Sequence, residues 1–90
     1  MLYPIAIVIG DDTTAHGIFV PDIEGCFSAA DDYQDAFDNA IEAIELHLEG
    51  LVADGEKIPL PSSIDSHVDK PEYQDMMWAL VHVDPNKKAQ

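Results

Sequence analysis

Residues 31–55 read DDYQDAFDNAIEAIELHLEGLVADG, and this stretch decides the fold class. Two acidic residues, Asp31 and Asp32, precede an apolar pattern with helical spacing, where a carboxylate can accept an unpaired backbone N–H. Gly55 follows the pattern as the left-handed residue that ends a helix. The stretch therefore predicts one long amphipathic helix over roughly residues 32–54. Its apolar stripe consists of Tyr33, Phe37, Ile41, Ile44, Leu48, Leu51 and Val52.

Short apolar segments lie on both sides of this helix. Residues 2–9, LYPIAIVI, are too few for a helix and predict a mostly buried strand. Turn-forming residues separate this segment from two further strands, which we predict over residues 15–20 and 26–30. A last strand is predicted over residues 76–83, and residues 62–68 have room for one short helical turn. The predicted order is β-β-β-α-β, an α+β domain with the helix packed on an antiparallel-rich sheet.

The length and composition describe one small globular domain. The chain has 90 residues, of which 47% are apolar. Because a core of this size is marginal, oligomerisation is favoured. The single cysteine excludes an internal disulfide framework and a cysteine-based zinc cluster. With no apolar run of roughly 20 residues and no basic segment at the N-terminus, we expect a soluble protein of a reducing cytoplasm, without membrane contact.

The charge balance narrows the range of partners. There are 18 Asp and Glu residues against 4 Lys and Arg, giving a net charge of −14, and arginine is absent. Nucleic-acid binding depends on lysine and arginine that neutralise phosphates, so these residues alone should not bind it. Anionic membranes are excluded on the same ground. A partner should be neutral or basic, although acidity also serves to keep a small protein soluble.

Three segments carry a resemblance to a known family: FVPDIEGCFS at residues 19–28, DDYQDA and NAIEAI at 31–36 and 39–44, and DGEKIPLPS at 54–62. In this order and spacing they resemble the N-terminal domain of HicB antitoxins. The similarity extends over residues 1–84, which we take as the toxin-neutralising domain. Residues 85–90 look like the start of a linker to a DNA-binding segment that is absent here.

The resemblance implies an antitoxin, not an enzyme. HicB-like proteins bind and block HicA, a small basic ribonuclease that cleaves mRNA, and most carry a C-terminal segment that binds operator DNA and represses their own operon. We therefore expect a HicA-like toxin as partner, a homodimer or tetramer, and no cofactor or metal. For the toxin contact we predict the acidic turn after the first strand and the loop before the third: Asp11, Asp12, Asp22, Glu24, Gly25, Cys26 and Phe27. For self-association we predict Met76, Trp78 and Leu80, on a strand that could form a sheet edge.

Two other classes of function stay open. Some HicB-like domains have been compared with RNase H, which suggests a metal-dependent nuclease, but that chemistry needs converging carboxylates and residues 2–9 contain none. The alternative is a stand-alone acidic module that binds an unrelated basic protein. Individual side chains do not favour either of these alternatives. We expect Cys26 to be a small core residue and not a catalytic thiol. His16 and His82 lie in different predicted strands and could meet only if those strands are neighbours.

Overall fold

The computed structural model describes residues 1–84, and it confirms the predicted order of strands and helix. The predicted linker at residues 85–90 lies outside the described residues. Each element is shorter than predicted by one residue or more at one or both ends. Their bounds are β1 Leu2–Val8, β2 His16–Phe19, β3 Phe27–Ala30, α1 Tyr33–Ala53 and β4 Met77–His82. Two short 3-10 turns, Ile64–Ser66 and Pro71–Tyr73, lie between α1 and β4, and the second of them was not predicted.

The four strands form one antiparallel sheet in the order β3-β2-β1-β4. Strand β1 is therefore central, although it contains Pro4, which has no N–H to donate. The reason is register: β2 pairs with β1 only over Ala6–Val8, so the proline lies beyond the end of that ladder. Toward β4, Met1 and Val83 exchange two backbone hydrogen bonds of 2.7 Å. Since bonded and non-bonded pairs alternate, Pro4 and Leu80 form a non-bonded pair.

The helix packs on one face of this sheet through a narrower line of side chains than predicted. The fully buried helix residues are Ala36, Ala40, Ile44 and Leu48. Two of these are alanines, whose small side chains allow the helix backbone to approach the sheet closely. The ends of the predicted stripe, Tyr33 and Val52, are exposed by 38% and 56%. The helix is therefore rotated relative to the stripe of large apolar residues, and its facing strand residues are Tyr3, Ile5 and Ile7 of β1, Ile18 of β2 and Val81 of β4.

The two ends of α1 differ in how they are capped. Asp32 occupies the N-cap position with an extended backbone, but its side chain makes no capping hydrogen bond, so that prediction is wrong. At the other end Gly55 has φ +74°, as predicted. The N–H of Gly55 donates to Val52 at 3.1 Å and that of Glu56 to Leu51 at 2.8 Å. These two bonds form a Schellman motif, which turns the chain sharply away from the helix.

Within the described residues, no helix is both long and apolar enough to span a bilayer.

Truncation of Ile44 to alanine should destabilise the domain by about 2–5 kcal/mol, because Ile44 is fully buried between α1 and the sheet. The matched control is Leu46→Ala on the same helix. Leu46 is 55% exposed, so its truncation should cost about 0.5 kcal/mol or less. Urea denaturation followed by circular dichroism measures both. Equal losses for the two variants would contradict the packing of α1 on the sheet.

Candidate functional site

The loop between β2 and β3 is held in one conformation by its own backbone. Val20 N–H donates to Cys26, Cys26 N–H to Ile23 and Ile23 N–H to Val20, all at 3.1 Å. Gly25 has φ +77°, a conformation that L side chains rarely adopt. The side chains of Ile23 and Cys26 point into the core, whereas Glu24 and Gly25 are exposed. The loop thus presents Glu24 from a defined backbone.

Asp22 of this loop lies in a hydrogen-bonded cluster with residues that follow the helix. Its carboxylate accepts the Ser62 N–H at 2.8 Å and the Ser62 hydroxyl at 2.6 Å. His67 Nε2 lies 3.0 Å from the same carboxylate, and both side chains are 8% exposed. Lys70 Nζ lies 3.0 Å from His67 Nδ1. These four residues, Asp22, Ser62, His67 and Lys70, we call the clasp, because they join the β2–β3 loop to the segment before β4.

The donors and acceptors of the clasp determine the tautomer of His67. The Lys70 ammonium can only donate, so His67 Nδ1 accepts and Nε2 carries the proton. The Nε2 proton then faces both the Ser62 hydroxyl oxygen at 2.8 Å and the Asp22 carboxylate at 3.0 Å. The Ser62 hydroxyl also donates to Asp22, so the imidazole does not activate it as a nucleophile. The clasp therefore has a structural role. In a serine–histidine–aspartate triad the hydroxyl and the carboxylate bind opposite ring nitrogens, whereas here both lie at Nε2 of His67.

The pKa of Asp22 reflects this cluster. Burial by itself raises the pKa of the carboxyl group, but the hydrogen bonds from the Ser62 hydroxyl, the Ser62 N–H and His67 outweigh it. The net result is a pKa below the ordinary value of 3.8. Burial also raises the pKa values of Tyr3 and Tyr73, and the nearby charge of Asp22 adds to both. The Tyr3 hydroxyl donates to the Pro59 carbonyl at 2.5 Å and holds the same segment at a second point.

The structure separates the two halves of the predicted toxin contact. Asp11 and Asp12 lie in the turn before β2, whereas Asp22 to Phe27 follow β2, so the two groups stand at opposite ends of that strand. The Asp11 carboxylate accepts the N–H and hydroxyl of Thr13 at 2.9 and 3.0 Å, and these bonds lower its pKa. The acidic turn is therefore an exposed turn with its own internal bonds, and it does not join the loop in one cluster.

The exposed part of the loop continues into an apolar patch on the sheet face that α1 leaves uncovered. Phe27 is 68% exposed and pairs in register with Phe19, which is 39% exposed. A shallow hollow of about 280 Å³ lies beside them, with Tyr73 and Glu24 in its lining. Sequence reasoning identified Glu24 and Phe27 but missed Phe19 and Tyr73. Side chains alternate between the two faces of a strand, and this alternation in β2 could have placed Phe19 on the same face as Phe27. Nothing near Tyr73 in the sequence connects that residue to this loop.

Several other predicted side chains have clear locations. Cys26 is buried, and burial raises the pKa of its thiol, so it belongs to the core. His16 and His82 do not meet, because β1 lies between their strands. Over residues 1–84, no three His, Cys, Asp or Glu side chains form a group that could bind a metal ion.

The three residues predicted for self-association lie at or beside the free edge of the sheet. Strand β4 is an edge strand, as predicted. Leu80 is 49% exposed. Trp78 is half-buried, stacked on the His67 ring at 6.3 Å and in edge contact with Tyr73 at 5.4 Å. Met76 is half-buried and precedes the strand, while its neighbour Met77, which was not predicted, is 47% exposed.

Comparison with known proteins gives consistent results at the level of sequence and of structure. Residues 3–90 match the family model described as the HicB-like antitoxin of bacterial toxin–antitoxin systems. An uncharacterised 14.9 kDa protein from the rep–hol intergenic region of Haemophilus phage HP1 is 43% identical over 84 residues, which are 93% of this chain and 62% of the phage protein. The chain thus spans less than two thirds of that relative's length.

Solved structures of similar chains share the fold. The N-terminal domain of the Burkholderia pseudomallei antitoxin HicB is 40% identical, with a TM-score of 0.80 over 93% of this chain and 99% of that domain. A chain from the HicA3 and HicB3 toxin–antitoxin complex is 32% identical, with a TM-score of 0.79 over 94% of this chain and all of the other. Fold and sequence together define the class as an antitoxin domain of a bacterial toxin–antitoxin system. More particularly, this chain belongs to the HicB-like antitoxin family.

Replacement of Asp22 by asparagine should destabilise the domain by about 1.5–3 kcal/mol at neutral pH, because it removes the charged acceptor of the clasp. The loss should shrink in acid. Since the folded-state pKa of Asp22 lies below its ordinary value, the stabilisation is fully present above that value and is lost as the pH falls through the folded-state pKa. Urea denaturation of both proteins between about pH 7 and pH 2 measures the difference.

The matched control for this experiment is Asp12→Asn in the exposed turn. No side-chain hydrogen bond of Asp12 occurs among the described residues, so the substitution should leave the unfolding free energy within about 0.5 kcal/mol of the original. A difference between the original protein and Asp22→Asn that stays constant down to pH 2 would show that the carboxylate's charge does not stabilise the fold.

Proposed function

We propose that this chain neutralises a small, basic, mRNA-cleaving toxin of the HicA type by covering the toxin's RNA-binding and active face. The observation that carries the proposal is the net charge of −14 on a member of the HicB-like antitoxin family. A ribonuclease must hold phosphates with lysine and arginine, so its active face is basic. An acidic domain competes with RNA for that face by occlusion, without any chemistry of its own.

The distribution of acidic residues supports attraction of a basic partner over a long range. Ala36 and Ala40 of α1 face the sheet, whereas acidic side chains lie along the rest of the helix: Asp35, Asp38, Glu42, Glu45 and Glu49. No lysine or arginine lies on this helix. Such a surface raises the association rate with a cationic protein, and salt weakens it.

For the close contact we propose the exposed part of the β2–β3 loop together with the aromatic patch beside it. Glu24 supplies a carboxylate for a lysine or arginine of the toxin. Phe27 and Phe19 supply apolar area, and aromatic side chains are typical anchors of protein interfaces. Asp22, which was predicted to bind the toxin directly, is engaged in the clasp, and we propose that it acts by holding the loop in place. The turn of Asp11 and Asp12 then contributes to steering.

The same proposal extends to operon repression and to the place in the cell where the chain acts. Repression of an operon, where a longer relative performs it, is assigned to a segment outside residues 1–84, since these residues contain only two lysines, Lys57 and Lys70, and no arginine to hold DNA. The site of action is the cytoplasm, where a toxin meets mRNA. The competing view of a stand-alone acidic module differs in its partner: it predicts no toxin in the adjacent reading frame.

Co-expression with the protein of the adjacent reading frame tests the function. We expect co-purification, rescue of growth, and inhibition of RNA cleavage in a purified assay, with inhibition weakening steeply as salt is raised. A neighbour that is neither bound nor toxic would contradict the proposal. Cleavage of RNA by the purified chain alone, dependent on Mg²⁺, would favour the nuclease alternative instead.

Charge reversal of Glu24 to lysine should weaken toxin binding by about 2 kcal/mol or more, mainly through faster dissociation, if Glu24 lies in the close contact. The matched control is Asp12→Lys at the other end of β2, which makes the same change in net charge. It should lower only the association rate, and only at low salt. Surface plasmon resonance at two salt concentrations separates the two rates, and equal effects of both variants would remove the loop from the interface.

A further inference from the structure

The shallow hollow beside the β2–β3 loop combines aromatic rings with one exposed carboxylate. Its lining contains three such rings and the carboxylate: Phe19, Phe27, Tyr73 and Glu24. The ring of Tyr73 is held in edge contact with that of Trp78, whose centre lies 5.4 Å away. The strand that carries Phe27 is held from the helix, because the Asn39 side chain donates to the Ala29 carbonyl at 2.9 Å. The rings are thus in place before a ligand arrives.

The hollow offers acceptors that no group of the described chain occupies. Among residues 1–84, the Glu24 carboxylate makes no hydrogen bond or ion pair, and the Tyr73 hydroxyl makes no hydrogen bond. The backbone carbonyls of Glu24 and Gly25 accept none there either, because the bonds that close the loop use other carbonyls. A ligand for this hollow is therefore one that brings hydrogen-bond donors.

The charges around the hollow are negative. Burial raises the pKa of Tyr73, and the nearby charges of Glu72 and Asp22 raise it further. Neither of the two lysines among residues 1–84 contributes to the lining. A cation is favoured at such a place, and an anion is repelled.

An arginine side chain fits this combination better than a lysine does. The guanidinium group is planar and weakly hydrated, so its face can stack on an aromatic ring while the N–H groups at its edge donate to a carboxylate and to carbonyls. The lysine ammonium is a strongly hydrated point charge, and contact with an aromatic surface costs it more of its water. Phe27, which is 68% exposed, provides such a surface close to Glu24.

We propose that the hollow is a guanidinium site, in which an arginine side chain stacks on Phe27 and donates to the Glu24 carboxylate. Under the proposed function, on which this identification of the partner rests, the guanidinium belongs to one arginine of the toxin. The site then adds selectivity to the long-range attraction between acidic and basic surfaces, because a toxin face made of lysines alone would leave it unfilled.

Nuclear magnetic resonance of the complete 90-residue chain tests the site with two probes, acetyl-Gly-Arg-Gly-amide and acetyl-Gly-Lys-Gly-amide. The arginine peptide should shift the amide signals of Glu24, Gly25 and Phe27 in a saturable way, with a Kd of about 1–20 mM. The lysine peptide should bind the same signals about fivefold more weakly or worse. The two peptides carry the same charge, so a difference between them reports on the guanidinium group.

Phe27→Leu and Glu24→Gln should each weaken binding of the arginine peptide by about fivefold or more. The matched control is Glu56→Gln in the exposed connector after α1, which removes the same charge away from the hollow. It should leave the affinity within about twofold, because exposed charges beyond a Debye length are screened. The amide spectra of the three variants also show that each one folds.

Equal affinity for the two peptides overturns the guanidinium site, as does binding that fails to saturate, or equal effects of Glu24→Gln and Glu56→Gln. The result does not depend on the co-expression experiment, so the two proposals fail separately. A toxin that binds the chain while the arginine peptide is not preferred removes this site and leaves the proposed function. Preference for the arginine peptide, with no toxin in the adjacent reading frame, supports the site and removes the function.

Discussion

The four-stranded sheet has two faces, and the helix α1 covers one of them. Ala36 and Ala40 let the backbone of α1 approach the sheet closely, above all at β3, and the residues that face the helix form the hydrophobic core. Among residues 1–84 no second α-helix covers the opposite face, and the segment between α1 and β4 covers part of it instead. His67 stacks there on Trp78. This segment contains few large apolar side chains, and polar bonds hold it instead: the clasp around Asp22 and the bond from Tyr3 to Pro59.

Because the second face of the sheet is only partly covered, the domain exposes several surfaces that differ in their chemistry. The outer side of α1 is acidic and suits attraction of a basic partner. The rigid β2–β3 loop joins one exposed carboxylate, that of Glu24, to the aromatic pair Phe19 and Phe27. The edge of β4 carries no charge and offers unpaired backbone groups. The proposed toxin contact uses the first two of these surfaces.

The clasp connects stability to the proposed function. Asp22 belongs to the loop that carries Glu24, and its partners Ser62 and His67 lie 40 and 45 positions further along the chain. We therefore expect a change in any of the three to alter the position of the loop, even though none of them need touch the toxin. Loss of toxin binding on substitution of Asp22 is therefore expected with or without direct contact, which is why Glu24 is the better probe of the interface.

The local pattern of the sequence by itself determined the elements and their order. A 3.6-residue period, β-branched runs and Gly55 report on short-range geometry, and they predicted α1, four strands and the left-handed helix end. Composition likewise determined the net charge, on which the proposal of a basic partner rests. Only the tertiary structure decided which helix residues face the sheet, that Asp11 and Asp22 stand apart, and that β4 keeps an open edge. These features depend on contacts between residues distant in the chain, and no local pattern encodes the partner that Ser62, His67 or Asn39 will meet.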